Sequence, residues 1–489
     1  MSNYVKLIPG LPTGTSIDER KSHGKQARKQ LPRKALGAWQ PPADRPRSTD
    51  LLLGQAKTRI PELVPIRHAR MAVSPFTFYR GAAIVMASDL GRSANSGLWA
   101  QLCGDAHLSN FGVFGTPERN LVFDVNDFDE TNPGPFEWDI MRLVASFVLA
   151  ARDNGLPDDH GRASAAAAAS AYQQVLIAAS QRSYLDNWYT MLTPDMIESA
   201  VRQGVPGPSA KQAERRVNKG VAKARSRDAW SAIRKLTEVG PDGRRRFLNQ
   251  PPLLVRIENI DTAYHFDQQA FDDLAATFVT TMEPDRGALL SRYTLLDVAH
   301  KVVGVGSVGL PALIGLLQGR DDDDLLVLQF KAAEASVLEQ WTAPSPFEQH
   351  GQRVVVGQRI MQAVGDPFLG WITGPGGVHY YGRQLRDFKW SVDLNGLGPQ
   401  QLAGYAALTG GTLALAHARA GDPVAFAAYV GKGTVFAEAM AQFAITYADL
   451  MEADYAEFTA AIADGEVEAA ADENSTVTLT PRHRVPSQP

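Results

Sequence analysis

Apolar and polar positions divide the chain into a helical stretch, a shorter stretch of strands and a helical return. Phe136 to about Arg152 reads as an apolar helix, the alanine-rich run Ala163 to Ser180 has strong intrinsic helix propensity, and Tyr184 to Ala200 continues as helix with a restart at Pro194. Short apolar runs predict strands at Leu121-Val122-Phe123, at Leu325 to Lys331, and at Asp366 to Ile372 and Val378 to Leu385, the last two joined by a Gly-Pro-Gly-Gly turn. A helix over Phe347 to Val364 precedes that pair. Pro399 to Ala418 and Val424 to Ala463 are helical again, with Gly410-Gly411 interrupting the first. The first 50 or so residues are rich in Pro, Lys and Arg and lack apolar periodicity, which predicts a flexible basic arm. The expected organisation is an arm (1–50), a helical lobe (51–295), a β-rich lobe (296–395), a helical return (396–468) and a disordered tail (469–489).

At 489 residues the chain is too long for one ordinary core. An apolar content of 44%, with 21% charged residues and a formal net charge of −4, is that of a soluble globular protein with no general attraction for nucleic acid or anionic membrane. The dense Lys/Arg stretch from Lys211 to Arg246 has few interleaved aromatics and reads as a solvated face, with Arg244-Arg245-Arg246 as an alternative contact for an anionic substrate. A single cysteine, Cys103, excludes an internal disulfide and a Cys-based zinc site. No apolar run reaches the ~18 residues of a membrane span and no signal core opens the chain, so a cytoplasmic location without a membrane partner is expected.

Chemistry concentrates in Cys103-Gly104-Asp105-Ala106-His107-Leu108-Ser109-Asn110-Phe111-Gly112 and in Asp124-Val125-Asn126-Asp127-Phe128-Asp129-Glu130, which ends the strand begun at Leu121. An aspartate five residues before an asparagine, then a strand ending in more aspartates, supplies a base and two or three hard oxygen ligands. Such a set suits Mg²⁺, which takes a few carboxylate or amide oxygens together with substrate phosphates. Asp105 is the candidate base and Asn110 and Asp127 the candidate metal ligands; Asp124 and Asp129 are alternates, because the register of the acidic run is uncertain. His107 reads as a residue that supports the loop. Asp139, on the following helix, reads as an anchor for it.

A second block lies two hundred positions downstream. Val303-Gly304-Val305-Gly306-Ser307-Val308-Gly309-Leu310 is a glycine-rich hairpin whose Gly304, Gly306, Ser307 and Gly309 would let backbone amides approach phosphate oxygens. The strand Leu325 to Lys331 then ends in a lysine that would reach the same phosphates. Glu334, Glu339 and Glu348 are the carboxylates available to pair with Lys331, with Arg353, Gln358 and Arg359 as further polar groups on the next helix.

These blocks resemble parts of protein kinases and of aminoglycoside and choline kinases, where a Gly-Asp-x-His-x-x-Asn string and a later metal-binding aspartate occur in this order. Here the glycine loop and lysine follow the catalytic loop instead of preceding it, so the resemblance implies a circularly permuted α+β fold of two lobes. It also implies ATP and Mg²⁺ as cofactors and phosphoryl transfer to a hydroxyl acceptor, a small molecule before a protein. Two other outcomes stay open: a nucleotide-binding regulatory module without turnover, and a nucleotidyltransferase. Ser74-Pro75-Phe76-Thr77-Phe78-Tyr79-Arg80-Gly81, together with the strings above and Val356-Gly357-Gln358-Arg359, is similar to the bacterial family catalogued as domain of unknown function 2252, over roughly residues 50 to 465. That likeness implies a fold and no substrate. Arg80 within it is a candidate contact for a phosphate or acidic group.

Overall fold

The computed structural model describes residues 15–198, 222, 229–251, 253–259, 268–301, 308–385 and 390–470. The fold is α+β, about half helical, with a small antiparallel sheet. Gly304, Gly306 and Ser307, the basic residues from Lys211 to Arg227 and the tail from residue 471 lie outside the described residues.

The helical body is built around Glu137–Asp153, Asp158–Ala179, Pro399–Ala420 and Val435–Ala463. Glu137–Asp153 is buried along nearly its whole length, because neighbouring helices and the loop carrying Asp105 cover every side of it. Gly410-Gly411, expected to interrupt its helix, lies within one continuous helix from Pro399 to Ala420. The reason is packing: a Cβ on Gly410 would stand 2.1 Å from the carbonyl oxygen of Ala168, so glycine is what lets this helix approach the alanine-rich one. The expected helix from Val424 is broken into Pro423–Val430 and Val435–Ala463, with Gly431 at φ 63° between them.

From residue 15 onward the expected flexible arm is ordered. Ser16 and Glu19 form a reciprocal cap for the helix Ile17–Gln30, and Gly24 packs against the backbone of Ala425. Trp39 packs on Phe443 and Tyr447, with ring centroids 5.6 and 5.4 Å apart, and Arg45 bridges Asp89 at 2.7 Å and Asp454 at 2.5 Å. Close approach through small residues and buried ion pairs leaves little hydrophobic periodicity in the sequence, so composition alone reads this segment as unstructured.

The sheet has six antiparallel strands in the order Gly370–Thr373, His379–Gln384, Leu325–Ala332, Ala312–Gln318, Thr294–Lys301 and Leu254–Arg256. Successive side chains of Leu325–Ala332 face opposite ways. Leu326 and Leu328 pack with Phe278 and Leu290 from the helices Gln268–Thr280 and Pro284–Leu290 and with Met282 between them, while Leu325 and Val327 pack with Ile233 and Phe247. Both apolar faces of the sheet need covering, and residues between 229 and 290 supply the cover and the edge strand Leu254–Arg256. Arg246 in that cover pairs with Glu238 at 3.0 Å, and Arg245 donates to Thr237. Among the described residues no helix is long and apolar enough to cross a membrane.

His300, on the strand Thr294–Lys301, is 4% exposed, and neither ring nitrogen has a hydrogen-bond partner. Burial pushes its pKa down from 6.5 to about 4. The unfolded chain takes up a proton near pH 6.5 and the folded one does not until about pH 4, so this stability is complete above pH 6.5 and is lost as pH falls through that window. The loss amounts to roughly 3 kcal/mol. Urea midpoints at pH 7.5 and 4.5 check it: His300→Leu should lose markedly less stability between the two than the native chain, and equal losses would remove His300 as the cause.

Candidate active site

The Asp105 loop leaves the strand Trp99–Leu102, which pairs with Asn132–Pro135, and runs into Phe111–Gly115, which pairs with Leu121–Val125. The two ribbons bring the loop and the acidic run Asp127 to Glu130 together. Gly104 makes this possible: it sits at φ 82°, and a Cβ there would lie 2.1 Å from the carbonyl oxygen of Glu130. From the helix beneath, the Asp139 carboxylate accepts hydrogen bonds from the Cys103 and Gly104 amides at 2.9 and 3.0 Å. The same carboxylate meets His417 Nε2 at 3.1 Å, and the other ring nitrogen of His417 bonds Tyr172. The loop is thus fixed to the helical core through its backbone.

Asp105 and Arg142 form a buried pair, Arg142 Nε donating to Asp105 Oδ1 at 2.8 Å while the guanidinium lies 3.7 Å from the ring centroid of Tyr79. Burial raises the Asp105 pKa, and Arg142 and Arg80 offset only part of that. His107 Nδ1 accepts from the Ser109 amide at 3.2 Å, which places the ring proton on Nε2, 3.6 Å from Asp105 Oδ2. Burial holds this imidazole neutral, well below its usual pKa. Asn110 donates its amide to the Asp105 carbonyl at 2.8 Å, leaving its side-chain oxygen as acceptor.

Asp127 Oδ1 accepts from the Asp129 amide at 3.3 Å. Burial, then the charge of Asp129, pushes the Asp127 pKa up. Asp129 is occupied at both oxygens, by Lys331 Nζ at 2.5 Å and by the Tyr381 hydroxyl at 2.6 Å. Burial raises its pKa, but the Lys331 ammonium outweighs this and holds Asp129 below the usual carboxylate range. Lys331 therefore faces the acidic run across 202 positions of sequence, and its partner is Asp129; Glu334, Glu339 and Glu348 do not pair with it. The pleat explains this: Lys331 shares a face with Leu325 and Val327, opposite the face covered by Phe278. Asp124 is buried elsewhere, accepting from the Ala363 amide at 3.0 Å and from Arg419 at 3.2 Å, and does not line the cleft.

Arg353, on the helix His350–Met361, ties the two parts together by donating to the carbonyls of Thr131, Asp129 and Glu334 at 2.6, 2.8 and 2.6 Å. Glu130 accepts from the Val337 amide at 2.8 Å, and burial pushes its pKa up to about 7. Gly309, at φ 92°, ends the glycine-rich segment against Arg59, and its carbonyl accepts from the Ile60 amide at 2.8 Å. Between these walls lies a cleft of about 120 Å³ lined by Asp105, His107, Asn110, Asp127, Asp129 and Glu130. Arg59, Arg67 and Arg80 line the same cleft. Sequence reasoning singled out Arg80 alone of the three. It also passed over Arg142, which a three-residue helical spacing from Asp139 places beside the loop.

Among the described residues no group of three or more His, Cys, Asp and Glu side chains gathers as metal ligands. No curated protein and no solved structure matches the chain. A family model described as an uncharacterized protein conserved in bacteria, DUF2252, matches residues 59–461, and with most of its length covered the chain belongs to that family.

Proposed function

We propose that the protein is an ATP- and Mg²⁺-dependent phosphotransferase acting on a hydroxyl acceptor, a small molecule, with its parts in a circularly permuted kinase-like order. The observation that carries this reading is that Asp105, Asn110 and Asp127 line one cleft together with Asp129, whose carboxylate holds Lys331. The donor chemistry fits Mg²⁺: an Asp127 carboxylate and an Asn110 amide oxygen are hard ligands, and two protein oxygens suffice for an ion that keeps waters and phosphate oxygens around it. Bound there, Mg²⁺ would neutralise phosphate charge. Asp129 is assigned to Lys331 and Asp124 to Arg419, so neither takes the metal role.

Asp105 orients the acceptor hydroxyl and accepts its proton. Its Oδ2 is left free by Arg142, and a carboxylate with a raised pKa is better suited to proton transfer than one at its ordinary value. His107 and Arg142 position this carboxylate. Lys331 holds phosphate charge from the sheet side, where its ammonium meets Asp129. The raised pKa of Asp105 and its fixed loop favour catalysis over a module that only binds nucleotide, which has no use for a base.

The test uses the full chain with ATP labelled at either the α or the γ phosphate. Mg²⁺-dependent stabilisation by ATP, with slow transfer of γ label to water or to added hydroxyl compounds, is the expected result. Stabilisation without any γ-phosphate consumption would leave a regulatory binding module. Incorporation of α label would mean nucleotidyl transfer, and no nucleotide binding at all would end the reading.

A further inference from the structure

Arg59, Arg67 and Arg80 line the cleft, and none has a carboxylate within ion-pair distance among the described residues. The other buried arginines at the site are occupied: Arg142 holds Asp105 and Arg353 holds backbone carbonyls. Arg67 is 1% exposed and Arg59 7%. Arg67 is fixed through one nitrogen, which donates to the Gly81 carbonyl at 2.7 Å and to Gln55 at 2.9 Å; its Nε and other terminal nitrogen have no partner. Arg59 is fixed through its bond to the Val308 carbonyl at 2.5 Å, and its Nε is unpartnered. Arg80 Nε is likewise without a partner, and the ring of Phe76 lies 5.9 Å from its guanidinium. Buried guanidinium N–H groups left unmatched carry a desolvation cost that a bound anion would relieve.

The donors are numerous and come from separate helices and turns. A carboxylate is planar with two oxygens, whereas a phosphate offers three in a tetrahedral array and a second negative charge, which matches forks converging from several directions. Asp105 and Asp127 are the carboxylates whose charge acts on Arg80, which puts that guanidinium next to the proposed base, while Glu130 acts on Arg67 and Glu334, Glu130 and Asp129 act on Arg59.

We propose that Arg59, Arg67 and Arg80 bind a phosphate group carried by the acceptor, so that the substrate is a hydroxyl compound already bearing a phosphate. The assignment of that group to the acceptor rests on the phosphotransferase reading; the anion site itself does not. The alternative source of the same chemistry is the phosphate tail of the nucleotide.

Inorganic phosphate is the probe, titrated into the full chain with and without saturating Mg²⁺ and a non-hydrolysable ATP analogue. The expected result is phosphate binding that persists with nucleotide bound and is weakened about tenfold or more by Arg80→Gln or Arg67→Gln, with nucleotide affinity nearly unchanged. Arg80→Lys should recover only part of the loss, because an ammonium cannot replace the fork. Arg67 is buried, so Arg80→Gln, at a partly exposed position, is the variant that decides, its unfolding midpoint being compared with that of the native chain. If nucleotide displaces phosphate and the variants weaken nucleotide binding equally, the arginines belong to the nucleotide and the proposal is overturned. Absence of phosphate binding by the native chain at about millimolar concentration, in either state, overturns it too. Phosphate binding that the variants abolish, in a chain that never binds nucleotide, upholds the anion site while removing the phosphotransferase reading.

Discussion

Asp127→Asn should lower Mg²⁺-dependent nucleotide turnover by on the order of a thousandfold and leave the fold intact. The substitution keeps the side-chain shape and the acceptor for the Asp129 amide, so the turn of the acidic run has no reason to change. It removes the carboxylate charge assigned to the metal, and Asp129 next to it cannot substitute because Lys331 and Tyr381 hold both of its oxygens. A Lewis-acid metal contributes several kcal/mol of transition-state stabilisation, and each 1.4 kcal/mol is a factor of ten in rate. Removing the charge also relieves the burial cost, and then the repulsion by Asp129, that raise the Asp127 pKa, so the unfolding midpoint at neutral pH should hold or rise. The measurement pairs a denaturation curve with a γ-phosphate release assay across a Mg²⁺ titration. Turnover within a few fold of native, with the same Mg²⁺ dependence, would take the metal role away from Asp127.

The second large effect is expected at Lys331→Met. Lys331 is 5% exposed, and its ammonium is the counter-charge that holds Asp129 ionised. Breaking a buried pair by removing one partner leaves an uncompensated charge and costs about 3–5 kcal/mol, a large part of the stability of an ordinary domain. Because the pair joins the sheet to the acidic run, the loss should appear as weakened attachment between the two, with turnover lost as well. Lys331→Met combined with Asp129→Leu separates the causes. Apolar side chains of similar size in place of both charges recover much of the stability without recovering turnover, and the coupling between the two sites measures the bridge. A cost under about 1 kcal/mol for the single substitution would class the pair with solvated surface bridges and undo this account of the cleft.

Much of the candidate site was legible before any coordinates. The Asp105 loop, the acidic run ending a strand and the lysine at the end of another are local patterns, because turn residues and strand periodicity act over a few positions. Asp139 was legible as a polar residue in the first turn of an apolar helix, although the loop it holds lies 35 positions upstream. The ordered segment from residue 15 was not. It is held by Arg45 between Asp89 and Asp454 and by Gly24 against Ala425; the contacts to Asp454 and Ala425 span about four hundred positions, and none leaves a periodic trace. The same holds for Arg59 and Arg67, which read as ordinary basic residues until burial shows their nitrogens unmatched.

The chain by itself determined many of its elements, its α+β class and the residue types on which a chemistry could rest, since backbone propensity and side-chain alternation depend on near neighbours. Only the tertiary structure decided who faces whom. It turned Lys331 towards Asp129 and away from three glutamates nearer in sequence, withdrew Asp124 to Arg419, and set three arginines without carboxylate partners among the described residues into the cleft that Asp105 lines. Those choices follow from how the sheet seats on the helical body and from which charges must find partners once water is excluded, and both depend on residues far apart along the chain.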